Sequence, residues 1–199
     1  MTSDADLSAP VVDDRPPASD ADAPRPDGFW AWSNEIYEAK GVAATLLRLQ
    51  DDAGLNVNIL LWCLWCARTF EPAPASVIKS AHEDAAAWTA DVAKHLRAAR
   101  RALKNPPKHV DADRARALKK RVKKAELDAE EIEQTMLEAL AEDGLAAAQN
   151  EAGGSARDRA LANLSAYLDL VGAAADGDDR AGVAALVGLV FDAPAKGEA

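Results

Sequence analysis

The chain has 199 residues and is 49% apolar, but 46 of its residues are alanine and only 21 are Val, Ile or Thr. Alanine favours helices and β-branched residues favour strands, so this composition predicts an all-α fold and argues against collagen-like, disulfide-stapled or sheet-based architectures. The formal charge of −10 argues against nucleic-acid binding by the surface as a whole.

Residues 1–27 hold five of the ten prolines, seven Asp and two Arg, a net of −5. They are expected to form a disordered acidic tail, because so little apolar surface does not offset the entropy of ordering. The opening MTSDADLSAPVVDD has neither a basic nor an apolar leader region, so no signal peptide is expected and the cytoplasm is the expected compartment. A first helix is expected from Asp27 as N-cap, with Phe29, Trp32 and Ile36 at helical spacing, ending at Gly41. Val42, Leu46 and Leu49 mark a second, stopped at residues 51–54. Asn56 caps a third, which runs to Phe70, is apolar nearly all round and reads as the central buried helix. Its unbroken apolar run covers nine residues, 59–67, where a bilayer span takes about 20.

Pro72 and Pro74 precede a long helical stretch over residues 75–104, with a break expected near Ser80, where Ser80-Ala81-His82-Glu83 fits a capping box. Trp88, Val92, Leu96, Ala99 and Leu103 form its apolar stripe, and Asn105-Pro106-Pro107 ends it. The next helix is expected over residues 111–142, with Leu118, Val122, Ala125, Ala129, Ile132, Met136 and Ala139 spaced as a heptad seam. Gly144 is expected to stop it, with a loop over residues 146–156. Shorter helices follow at 156–175 and 179–191, then a second disordered tail at 193–199. The resulting expectation is a single domain over residues 28–192. It is a compact all-α unit of about six to seven helices carrying a long antiparallel hairpin at residues 75–143.

The segments Phe29-Trp30-Ala31-Trp32-Ser33, Gly41-Val42, Leu49-Gln50-Asp51 and Val57-Asn58-Ile59-Leu60-Leu61-Trp62-Cys63-Leu64-Trp65 resemble a family of uncharacterised bacterial proteins. Its pattern runs FW-x-[FW]-S, then G-V, L-Q-[DE] and V-N-[LI]-L-L-[FW]-C-L-W. Cys66 departs from it, at a position where an aliphatic residue is commoner. The resemblance implies no particular activity.

Cys63 and Cys66 form a lone CxxC, in which Cys63 falls about two turns inside a helix, between two tryptophans. His82, His95 and His109 lie at no metal spacing relative to it, so core packing is expected and neither metal nor cofactor. The indoles of Trp30, Trp32, Trp62, Trp65 and Trp88 need acceptors, which Asn58, Ser33 or Asn34 are placed to supply. Ser33 and Asn58 are the candidate polar site in this tryptophan-rich core. The charges are sorted along the chain: residues 94–124 carry 13 Lys/Arg against two Asp, whereas residues 126–143 carry eight Asp/Glu and no Lys/Arg. Arg97, Arg100, Arg101 and Lys104 share one face of the first hairpin helix, and Arg116, Lys120, Lys123 and Lys124 one face of the second. Both stripes converge near Lys108 at the tip.

No phosphate loop, nucleophile–base pair or metal cluster is legible, so a non-enzymatic role is expected. The first expectation is an adaptor or regulatory protein that binds a partner protein through the hairpin. The second is nonspecific nucleic-acid association through phosphates at the tip, since aromatic interleaving is absent there. The third is a small-molecule or metal site near the tryptophans. A homo-oligomer through the seam is a further possibility.

Overall fold

The computed structural model describes residues 28–145, 154–173 and 177–192. Both predicted tails, and most of the loop expected after Gly144, lie outside the described residues. The axis of the fold is α3 (Val57–Thr69), whose residues 59–67 are all buried. Its start is set by Asn56, whose Oδ1 accepts from the backbone N–H of Asn58 (2.8 Å) and of Ile59 (3.4 Å). Such a cap contributes about 1 kcal/mol.

Around it stand α1 (Phe29–Tyr37), α2 (Val42–Ala53), α4 (Ala75–Trp88), a π-helical turn (Thr89–Ala93), α5 (Lys94–Ala102), α6 (Ala112–Leu145), α7 (Ala156–Val171) and α8 (Gly177–Phe191). α4, the π turn and α5 are one continuous rod, so the described residues form seven helical rods and no strand. α7 packs on α3, α8 bridges α2 and α7, and α6 runs first along α5 and then contacts α4, α3 and α1. Apart from Ala93, Ala115 and Ala129, the buried apolar side chains of the described residues form one cluster, drawn from α1–α4, α6–α8 and the adjoining turns. No helix among the described residues is long and apolar enough to cross a membrane.

Several local expectations are corrected. The N-cap of α1 is Gly28, without a side-chain cap. The first-turn donor is satisfied from α6, where Glu138 Oε2 accepts from Phe29 N–H at 3.0 Å. α1 ends at Tyr37, and Gly41, at φ 89°, instead turns the chain into α2. No break occurs at Ser80, because Glu83 pairs with Lys79 on an exposed face and the backbone ladder continues. The irregularity comes later, at the π turn. At 3.6 residues per turn Trp88 and Arg97 would lie about 180° apart; a one-residue bulge between them reduces this to about 80°. Both side chains therefore turn toward α6: Trp88 Nε1 donates to Ala129 O (3.0 Å), and Arg97 lies 3.8 Å from Glu130.

The heptad seam on α6 is also corrected. Leu118 and Ile132 are exposed, as is Ala139, whereas Ala115, Ala129, Glu133, Gln134, Leu137, Ala141 and Leu145 are buried. From Ala129 the buried positions advance by four, which rotates the buried face around the helix as its neighbours change. Gly144 does not stop α6, because Leu145, fully buried, holds the last turn in the core. α7 opens with a reciprocal Ser155–Asp158 capping box and ends at Gly172 in the left-handed conformation.

For Trp62 and Trp88 the indole acceptors are backbone carbonyls and not Ser33, Asn34 or Asn58. Trp62 Nε1 donates to Leu137 O at 2.7 Å, so with Trp88 two tryptophans pin α6 from α3 and from the α4 rod. Cys63 and Cys66 are buried, and burial raises both thiols well above their ordinary range.

Candidate functional site

The described residues enclose a cleft of about 780 Å³ between α1, the α2–α3 junction, α5 and α6. That size lies within the range of small-molecule sites. Its floor is polar and drawn from three helices. Ser33 Oγ donates to Gln134 Oε1 at 2.6 Å, and Gln134 Nε2 donates to Asn58 Oδ1 at 2.9 Å. Asn56 Nδ2 donates to Glu133 Oε1 at 3.4 Å, and the nearby Asn58 amide also favours the charged form of this carboxylate. Ser33, Gln134 and Glu133 are buried, Glu133 to 1% exposure.

Burial raises the Glu133 carboxyl above the usual range against the lowering pull of both asparagine amides and of Arg97. A cation within 4 Å would ordinarily offset that desolvation, yet among the described residues Glu133 has no salt-bridge partner. Glu130, one turn away, is also raised by burial, with Arg97 and Arg100 pulling it down. The cleft wall carries Trp30 and Tyr37 from α1, with Arg97 and Arg101 above the floor.

Asn56 has a second anchor. Its backbone N–H donates to Tyr167 Oη at 3.1 Å, which ties the cleft floor to α7. Burial drives the Tyr167 hydroxyl up to about 12, so it stays protonated.

The predicted basic residues divide into two groups. Arg97 and Arg101 face the cleft. Arg100 pairs with Glu126, and with Lys120, Lys123, Lys124, Leu127 and Glu130 it lines a second, shallower groove of about 580 Å³ between α5 and α6. Lys124 is paired with Asp128 at 2.9 Å and Arg116 with Asp113. Lys104, Lys108, Lys120 and Lys123 carry no carboxylate partner among the described residues and are exposed. Ser33 and Asn58, the two predicted polar residues, are joined through Gln134. Sequence reasoning missed Glu133 and Gln134, which sit in an acidic run that reads as a solvated face. The one available signal was that the run's charge has no basic partner at i±4 near Glu133.

Among the described residues no group of three or more His, Cys, Asp or Glu side chains is placed to hold a metal ion. The arrangement is that of an all-α fold with a polar cleft at the root of a charged helical hairpin. The chain belongs to the family described as a protein of unknown function, DUF2390, whose model matches residues 28–137. That span contains α1 to α5 and most of α6, and therefore the whole cleft floor. No curated protein and no solved structure shows significant similarity to the chain.

Proposed function

We propose that this chain is a non-enzymatic adaptor or regulatory protein of the cytoplasm that docks an acidic segment of a partner protein on the α5–α6 hairpin. The observation that carries the reading is the groove between these helices. Lys120, Lys123, Lys124 and Arg100 surround Leu127, which is 51% exposed. Cations around an exposed leucine match a segment in which Asp and Glu flank an apolar residue. Each exposed ion pair contributes at most about 1 kcal/mol, so the cations set encounter rate and selectivity while the leucine contact supplies the anchor. We infer too that the patterns around Ser33 and Asn58 mark the cleft floor in the family.

Nucleic-acid docking is the weaker reading of the same surface. Glu126 and Glu130 in the groove oppose phosphates and carboxylates alike, but the exposed apolar surface of Leu127 has no use in phosphate binding. The test is a titration with a labelled peptide in which Asp and Glu flank a central leucine, against wild type and a Lys120→Glu/Lys123→Glu variant. Binding that weakens in the variant and with added salt supports the reading. No binding to wild type, or equal binding to both proteins, refutes it.

A further inference from the structure

Independently of hairpin docking, the charges of the cleft itself define a ligand. Glu133 is a carboxylate at 1% exposure that borders an open cleft and is faced by two asparagine amides but by no cation within 4 Å. Such a group destabilises the folded chain when ionised, and a ligand ammonium is the group that would neutralise it. The guanidinium nearest to it is already engaged, since Arg97 lies 3.8 Å from Glu130. Arg101, one helical turn further toward the rim, lines the same cleft and has no carboxylate partner among the described residues. Of the charged residues that line the cleft, Glu133 is the buried carboxylate without a cation and Arg101 the guanidinium without a carboxylate; Asp51, exposed on the α2 side, also lines it without an ion-pair partner among the described residues.

We propose that the cleft binds a small zwitterion, a free amino acid or short peptide, with its ammonium on Glu133 and its carboxylate on Arg101. A phosphate ester fits less well, because it brings a second negative charge to a site with one free guanidinium. The remaining floor groups suit the assignment. Ser33, Gln134 and Asn58 are bonded to one another, which fixes the Asn58 amide against Glu133 and holds the carboxylate in place before a ligand arrives. Trp30 and Tyr37 on the facing wall offer aromatic surface to a side chain or to the ammonium.

The test is thermal-shift screening followed by calorimetry on the full chain. The probes are the protein amino acids, glycyl dipeptides, and for each hit the matching amine without carboxylate and carboxylate without amine. At least one zwitterion is expected to bind, and both single-charge analogues more weakly. Glu133→Gln keeps the size and one acceptor oxygen but removes the charge, and it should lower affinity about 30-fold or more while leaving the protein folded. Arg101→Gln should lower it about 10-fold, as expected for a more exposed pair. Lys120→Glu/Lys123→Glu should leave this binding unchanged, which separates its failure from failure of hairpin docking. The proposal is overturned if no probe binds, if the amine alone binds as tightly as the zwitterion, or if Glu133→Gln retains wild-type affinity.

Discussion

Asn163 on α7 offers the sharpest test of the packing. Its side chain is 1% exposed and joins two other segments: Oδ1 accepts from Ala73 N–H at 2.8 Å, and Nδ2 donates to Cys63 O at 3.1 Å. The chain leaving α3 through Pro72 is thereby held against both α3 and α7. Truncation to alanine orphans the Ala73 N–H, at about 1–3 kcal/mol, and removes the bond to Cys63 O, at about 0.5–1.5 kcal/mol. Asn163→Ala should therefore cost about 2–4 kcal/mol and lower Tm by about 5–15 °C for a chain of this length. Equilibrium denaturant unfolding followed by tryptophan fluorescence gives the number directly. Asn163→Asp separates the two bonds: its carboxylate still accepts from Ala73 but is charged and lacks the donor. Burial raises that carboxyl, so the deficit relative to wild type should be small below about pH 4, where the protonated acid donates in place of the amide. It should then grow as pH rises through the raised value. A cost below about 1 kcal/mol for Asn163→Ala, or a pH-independent deficit for Asn163→Asp, would refute this account of the contact.

Four further outcomes follow from the same structure. Because burial raises the Glu133 carboxyl, its neutral form is favoured in the fold. Wild type should match Glu133→Gln in stability at acid pH and fall behind it as pH rises through the folded value; a gap of opposite sign in pH-dependent urea unfolding would contradict the burial. A Cβ at Gly182 would overlap the Arg48 guanidinium and lie 2.9 Å from Leu49 Cδ2, where α8 crosses α2. Overpacking of about 1–3 kcal/mol should thus outweigh the gain in helix propensity of about 1 kcal/mol, and a Gly182→Ala variant more stable than wild type on calorimetry would reject that crossing. The buried thiols of Cys63 and Cys66 should react with an alkylating reagent only as fast as the protein opens, so rapid native-state labelling followed by mass spectrometry would show one of them to be accessible. Residues 1–27 carry a net of −5, and their deletion should tighten binding of an acidic probe to the hairpin at low salt. An unchanged affinity would remove the tail as a competitor.

Much of the fold is legible where one residue type has one physical role. Asn56 caps α3, Gly54 closes α2 in the left-handed conformation, and the apolar run 59–67 is the buried axis. Legibility fails where a long-range contact decides. Ser80 and Glu83 form a capping pattern, but nothing competes with the helix that runs through them. The π turn leaves no compositional trace, yet it sets which way Arg97 faces. Glu133 and Asn163 are single polar residues inside helices, and their burial depends on Asn56, Cys63 and Ala73, 77 to 100 residues away. The candidate site shows the same division. Ser33 and Asn58 stand out as polar residues among tryptophans, whereas their partners Gln134 and Glu133 are hidden in a charge run.

The most direct test of the hairpin as the binding element is capture from native, nuclease-treated lysate. Wild type would be compared with a variant carrying Lys104→Glu, Lys108→Glu, Lys120→Glu and Lys123→Glu, four positions outside the cleft. Both proteins would first be shown to unfold alike. Hairpin docking predicts a protein species recovered with wild type and lost with the variant, and that species should present an acidic segment which crosslinks to α5 or α6. Identical eluates, or a difference confined to nucleic acid when nuclease is omitted, would contradict it.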